Sequence, residues 1–473
     1  MAKITAYIPE PTDNYDVNNQ RQILESITTI KNQLNFGYQQ DLINEQAAML
    51  QFMYGNQNGF GCDTGTPSNP TVIIPGGTSV DAFGRFRVSE PFTLFDSQNR
   101  YAEDDQFSSS TTGAGSTVTF ATNESSVNLN VGTVSGGKTV RQTFRRMPYQ
   151  PGKSMLILTT FCMNAAKANL RQRIGYFDDN NGIFLEKNGT SNPSFTIRTN
   201  TSGTPVNTNT ASQSSWNGDK LDGTGPSGLT LDLTTVQIFW TDLEWLGVGN
   251  VRCGFVINGQ LIVCHTFQCA NQTGKTKVYM ETAILPVRYE IENTDTTATS
   301  STLKQICSTV ISEGGYQQTV QDTIARRTAI LGTISTTFLP LVSIRLKSTS
   351  AGAVVLLNRV NVLPTTNQSY EICIMKNSTL TGASWTSLSS NMEYDVTATA
   401  MTTSVDGIYQ NDYVTSSAQG RAVLAAPTGY NFAYQLGTSL AGVSDTFTLG
   451  IRTVSGATTG DAIGSISFYD LTI

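Results

Sequence analysis

The sequence predicts a mainly β protein: an N-terminal helical, coiled-coil-like anchor followed by two β-sandwich or jelly-roll-like domains. Three observations lead there. The one long run with helical periodicity lies between Asn14 and Tyr54. From Ser116 onward, short runs alternate apolar and polar residues with a period of two and are bounded by turn-forming residues. Charged residues make up only 14% of the 473, against about 25% in an average globular chain, and Thr, Ser, Asn and Gly take their place. Neutral polar side chains suit many short strands joined by exposed turns, and they suit the faces of a large rigid assembly.

The helical run has two seams. Ile23, Ile27, Ile30 and Leu34 recur at coiled-coil spacing, with Asp16 as N-cap and a start near Val17. Ile43, Ala47, Leu50 and Tyr54 repeat the spacing. The step from Leu34 to Ile43 does not fit a whole heptad and contains Gly37, so a break is expected at Phe36-Gly37. Seams this short need partners, because helix nucleation is costly and packing supplies most of the stability. Packing on the β-region of the same chain is one solution; self-association or docking into a larger assembly is the other. Position favours the second, since residues 1–58 lead a long β-chain through a Gly/Pro/Asn-rich tether at 59–80.

The β-region then reads in order. DAFGRFRVSEPFTLFDSQNRY (81–101) mixes apolar runs with turn residues and reads as an irregular strap. TVTFAT, VNLNVGTV, TVRQTF and SMLILTTF alternate as strands. RIGYFDDNNGIFLEKNG reads as a hairpin with its tip at Asp178 to Gly182, and Thr199 to Gly228 as a long polar surface excursion. In VRCGFVINGQLIVCHTF, Asn258-Gly259 is the favoured type I′ pair. That turn sets a register in which Cys253 faces Cys264 and Arg252 faces His265, with the two cysteines at a hydrogen-bonded pair and Cα atoms about 5.5 Å apart. The first β-domain is expected over 81–315, a connector over 316–335, and a second β-domain over 336–473 with strands at PLVSIRLKS, AVVLLNRVNVL, YEICIMKN, DTFTLGIRTV and SISFYDLTI. No fixed-period repeat marks a solenoid or propeller.

Charge and cysteine content exclude several classes. A net charge of −6 argues against a general nucleic-acid binder, and Arg141, Arg145 and Arg146 form the one notable basic knot, for which a structural ion-pair role is expected. Seven cysteines without a CxxC argue against a disulfide framework, so neighbouring reduced thiols are expected at Cys253 and Cys264. No signal peptide and no apolar membrane span is read, which implies assembly in a cytoplasm.

No motif carries chemistry convincingly. GTVSGGKT (132–139) matches the P-loop pattern, but VNLNV before it alternates like a half-buried strand and VRQTFRRMP after it soon meets Pro148. Without a buried strand before and a helix after, no dipole and amide cradle forms, and a Gly-rich hairpin turn is expected. His265, the single histidine, lies beside Cys264 and near Cys269, but adjacent strand residues point to opposite faces and no fourth ligand is evident. Asp242 and Glu244 share a strand face beside Trp240 and could approach the roughly 5 Å separation of a retaining glycosidase; solvated acids are the plainer reading. Asp178, Asp179, Asn180 and Asn181 could hold calcium, yet their spacing fails the EF-hand pattern. Trp216 could stack on a sugar, while Trp240 and Trp245 read as core. No catalytic residue, cofactor or metal is assigned.

Five ordered blocks, DAFGRFRVSEPFTLFDSQNRY (81–101), RQTFRRMPYQPGKSMLILTTF (141–161), RIGYFDDNNGIFLEKNG (173–189), TDLEWLGVGNVRCGFVINGQLI (241–262) and LKQICSTVISEGGY (303–316), together resemble β-rich virion structural proteins of tailed bacteriophages, especially large and marine ones. The resemblance implies a non-enzymatic particle component of tail fibre, baseplate or capsid-decoration type, located in the virion. The expected partners are further copies of the chain, as a homotrimer, and other virion proteins through the helices. Host surface glycan, bound through loops such as 200–228, is the alternative; a polysaccharide depolymerase using Asp242 and Glu244 is a further one.

Overall fold

The computed structural model describes residues 18, 20–31 and 91–473, apart from 318–319, 403–406, 416–421, 426–431, 457–458 and 473. By contacts the chain divides into Met1–Val80 and Asp81–Ile473. In the first unit residues 20–31 are helical. Ile23 and Ile30 are half-buried, whereas Leu24 is 66% and Ile27 50% exposed. Asp16, Val17, Leu34, the break at Phe36-Gly37, Ile43, Ala47, Leu50, Tyr54 and the tether at 59–80 lie outside the described residues.

The second unit is built from antiparallel sheets. An eight-stranded sheet runs Gln260–Phe267, Val251–Ile257, Gln237–Leu243, Ser154–Cys162, Ser301–Glu313, Ser126–Val131 and Thr117–Ala121; Pro91–Gln98 shares the free side of the long strand Ser301–Glu313. PFTLFDSQ, within the stretch expected to be an irregular strap, is therefore an edge strand, with a bulge between Thr93 and Phe95. A seven-stranded sheet runs Val206–Ser212, Ser194–Thr199, Gly182–Asn188, Leu170–Phe177, Val287–Asn293, Lys138–Thr143 and Phe107–Thr112. Alternation along each strand puts Leu129, Ile157, Phe239, Phe255 and Leu303 of the first sheet against Ile174, Leu185, Phe195, Tyr289 and Ile291 of the second, all buried in one cluster.

A five-stranded sheet (Asp322–Arg326 and Leu331–Ile334 side by side on Gly460–Asp470, then Val355–Pro364 and Ala422–Ala425) faces a six-stranded one. The latter runs Thr386–Ser387, Met392–Asp395, Leu339–Leu346, Thr446–Thr453, Ser369–Lys376 and Ile408–Thr415. Val360, Ile466 and Phe468 meet Leu341, Ile372 and Leu449 in a second core. The stretch read as a connector supplies two of these strands, because Ile324 and Ala325 alternate between the two faces of the sheet like any strand pair. The sandwiches also join: Val354, Leu356, Phe432 and Leu471 belong to the first core, and Phe92, Tyr316 and Phe432 form an aromatic triad with ring centroids 5.4–6.2 Å apart.

Three local expectations are corrected. The Gly-rich 132–139 segment is not a hairpin turn: it carries the chain from Ser126–Val131 in one sheet to Lys138–Thr143 in the other, clamped by Asn293, whose Nδ2 donates to the carbonyls of Gly132 (2.8 Å) and Val134 (3.1 Å). The 199–228 excursion contains the sheet strand Val206–Ser212, and Trp216 lies in the core, 2% exposed and stacked on Phe195 at 4.4 Å. In the Asn258-Gly259 hairpin, both turn residues take positive φ as a type I′ pair requires, but a bulge opens beyond it. Cys253 consequently faces His265, and Arg252 faces Thr266. The bulge sits where another segment seals the sheet edge, with Gly218 N–H donating to the Cys264 carbonyl and Asp219 N–H to the Val263 carbonyl, each at 2.9 Å.

Candidate functional site

The predicted acids lie in buried positions. Strand Gln237–Leu243 carries Asp242 to the side chain of Arg252 on the neighbouring strand, whose Nε donates to it at 2.8 Å and whose terminal nitrogen also pairs with it. Ser154 Oγ donates to Asp242 at 2.9 Å and makes a 2.6 Å contact with Glu313. Asp242 and Glu244 have no solvent exposure at all, which corrects the reading of solvated acids. Asp242, buried with Arg252, acts as a structural lock, costly to break.

The arginine knot is structural as well. Arg141 Nε donates to Gln305 at 3.0 Å, and a terminal nitrogen donates to the Asp104 carbonyl at 2.8 Å. Arg145 donates to the Phe432 carbonyl across the junction of the sandwiches. Arg146 binds Asp178 at 2.6 Å. That ion pair, with the Asp178 carboxylate also accepting the amides of Asn180 and Asn181 at 2.8 Å, commits the hairpin tip to its own turn. His265 Nδ1 accepts the Asn217 amide at 3.3 Å, and burial lowers its pKa. Among the described residues no group of three His, Cys, Asp or Glu side chains could hold a metal ion. Six free cysteines are described; burial pushes the thiol of Cys269 up to about 11, and those of Cys253 and Cys264 further.

A larger ionic network, unremarked in the sequence reading, covers the outward face of the seven-stranded sheet. Arg288, Glu290 and Glu292 alternate with core residues on Val287–Asn293, and Arg173 sits across from Glu290 on the next strand. Glu290 pairs with Arg173, with Arg288 at 2.6 Å and with Lys138 at 3.3 Å. Burial alone would raise its carboxyl, but Arg288, Arg173 and Lys138 outweigh that and hold it at about 2. The signal was legible: VRYEIEN and RQRIG place opposite charges at matching alternate positions.

A polar cavity lies elsewhere. It has a volume of about 280 Å³ and opens between strand Ser194–Thr199, the edge strand Val206–Ser212 and the loop 268–279. Thr199, Thr208, Asn209, Gln268, Gln272 and Lys275 line it, and Lys277 Nζ donates to the Thr201 carbonyl at 2.9 Å. Tyr279 forms part of the wall, and its buried hydroxyl makes no hydrogen bond. The lining is polar, made of hydroxyl and amide groups together with Lys275 and Lys277.

No protein-family model matches the chain, and no curated protein matches it. Solved structures with a similar arrangement include the Emp47p carbohydrate recognition domain (9% identity, TM-score 0.31, 46% of this chain and 94% of that one). A β-1,3-glucanase from Mycobacterium marinum matches at 10% identity and a TM-score of 0.30, over 46% of this chain and 98% of that one. A Bacteroides ovatus mixed-linkage glucan GH16 protein in complex with a product matches at 10% and 0.30, over 46% and 99%. Similarity this low carries no inference about function.

Proposed function

We propose that this chain is a non-enzymatic structural component of a tailed-phage particle, anchored by its N-terminal helices and presenting the β-unit as a spike, fibre or decoration. The helix carries the reading. Ile27 of the seam and its neighbour Leu24 stand exposed on it, whereas in the β-unit Asp242 is held by Arg252 and Glu290 by Arg288. A seam side chain such as Ile27, left in water, is covered by further copies of the same helix in a coiled coil. The five blocks shared with phage virion proteins support the same reading. The joined cores of the two sandwiches provide the stiffness such a part needs. Changing Ile27 and Leu34 together to Asp is expected to abolish incorporation into particles while the β-unit keeps its melting transition; incorporation at the wild-type level would contradict the proposal.

Surface-glycan binding is the second reading, favoured by the polar cavity at 268–279. Asn209→Ala with Gln272→Ala is then expected to remove glycan-array signal from the full chain, and undiminished signal would count against that cavity.

A further inference from the structure

The outer face of the five-stranded sheet holds a second, differently built groove, of about 720 Å³. Its floor is strand Gly460–Asp470, whose outward residues Ser465 and Ser467 are small, while the alternate residues Ile466 and Phe468 enter the core. Register places the walls. Ile324 and Arg359 flank Ser467, and Arg326 and Asn361 flank Ser465, so each row runs wall, hydroxyl, wall. The two flanking strands are about 10 Å apart, and the floor from Ser467 to Ile463 runs about 13 Å. Small residues between long ones turn a flat sheet face into a trough.

Its chemistry is specific. Arg326 is exposed, and its side chain has no ion-pair or hydrogen-bond partner among the described residues. Arg359 reaches Asp322 only at 3.5 Å, and that carboxylate already accepts both contacts from Asn358 at 2.9 and 3.0 Å. Arg327 donates to the carbonyls of Ala329 and Val396 rather than to a carboxylate. Three arginines thus line the groove, on a chain whose net charge is −6. In the floor, Ser467 is fully buried, and Ser465 is the hydroxyl that stands partly open to the groove. Ile324 and Leu363, 47% and 43% exposed, add apolar rims.

From this juxtaposition we infer that the groove binds an anionic polysaccharide. Guanidinium groups pair with its carboxylate or sulfate groups, Ser465 bonds to a ring hydroxyl, and the isoleucine and leucine rims take the C–H faces of the sugar rings. Among the described residues no aromatic side chain lines the groove to stack bases, which favours a sugar polymer over single-stranded nucleic acid. The inference stands independently of the virion reading and of the cavity at 268–279.

The test is titration of the full chain with polygalacturonate and dextran sulfate, with neutral dextran and a single-stranded DNA oligonucleotide beside them. Both polyanionic sugars are expected to bind, more weakly as salt rises, and dextran is not. Arg326→Ala, at an exposed and unpartnered position, is expected to leave the melting temperature unchanged and to weaken binding about tenfold, the loss of one charge-assisted hydrogen bond. Ser465→Ala is expected to weaken it too, and Arg326→Lys to restore part of the loss. No binding of either polyanion, or binding that survives Arg326→Ala combined with Arg359→Ala, overturns the inference. DNA binding tighter than either sugar polymer and lost in the same variants overturns it in favour of a nucleic-acid groove.

Discussion

At the scale of single residues, Glu290 is the point on which much of the first sandwich depends. Its carboxylate is gripped by Arg173, Arg288 and Lys138 on a sheet face almost without solvent. Glu290→Gln leaves two buried guanidinium groups short of a counter-charge and is expected to cost about 3–5 kcal/mol in denaturant unfolding. The pH dependence has a definite sign. The carboxyl sits at about 2 when folded against 4.5 ordinarily, so its contribution is complete above pH 4.5 and fades as the pH falls toward 2. Acid titration of wild type against Glu290→Gln is expected to show that slope only in the former. Charge at alternate strand positions, which the sequence reading passed over, places these residues on one face. What hid the network was the pairing of Leu170–Phe177 with Val287–Asn293, strands more than a hundred residues apart in sequence.

At the scale of elements, turn chemistry was readable and edge chemistry was not. Asn258 and Gly259 take φ of 53° and 76°, the left-handed region that the pair's identity announces. Gly259 has open space where a Cβ would go, so Gly259→Ala carries only the conformational penalty, about 1–2 kcal/mol, measurable as a lowered unfolding midpoint without loss of the fold. The register beyond the turn failed because the edge strand Gln260–Phe267 has another neighbour, residues 217–219, which no local pattern in the hairpin encodes. Trp216 was misplaced for the same reason: a polar stretch reads as surface, and the Nε1–H donated to the Ala211 carbonyl at 3.1 Å is what lets the indole sit inside. Asp242 and Glu244 read more plainly as solvated acids than as a catalytic pair; the arginine that pairs with buried Asp242 lies across the hairpin ladder, out of reach of any local pattern.

For the whole molecule, alternation and composition were enough to read a mainly β chain with a helical leader, since strand period and helix seam are local properties. That the two sandwiches share a core was not legible, because Phe432 meets Phe92 across more than three hundred residues. The central claim is that the leader assembles copies of a stiff β-unit, and solution mass tests it most directly. The full chain and a chain starting at Gly59 would be compared by analytical ultracentrifugation at matched concentration. A trimeric full chain and a monomeric truncated chain are the expected result. Monomers in both would contradict self-association through Ile23, Ile27, Ile30 and their neighbours, and would make the helices a plug for another protein's groove.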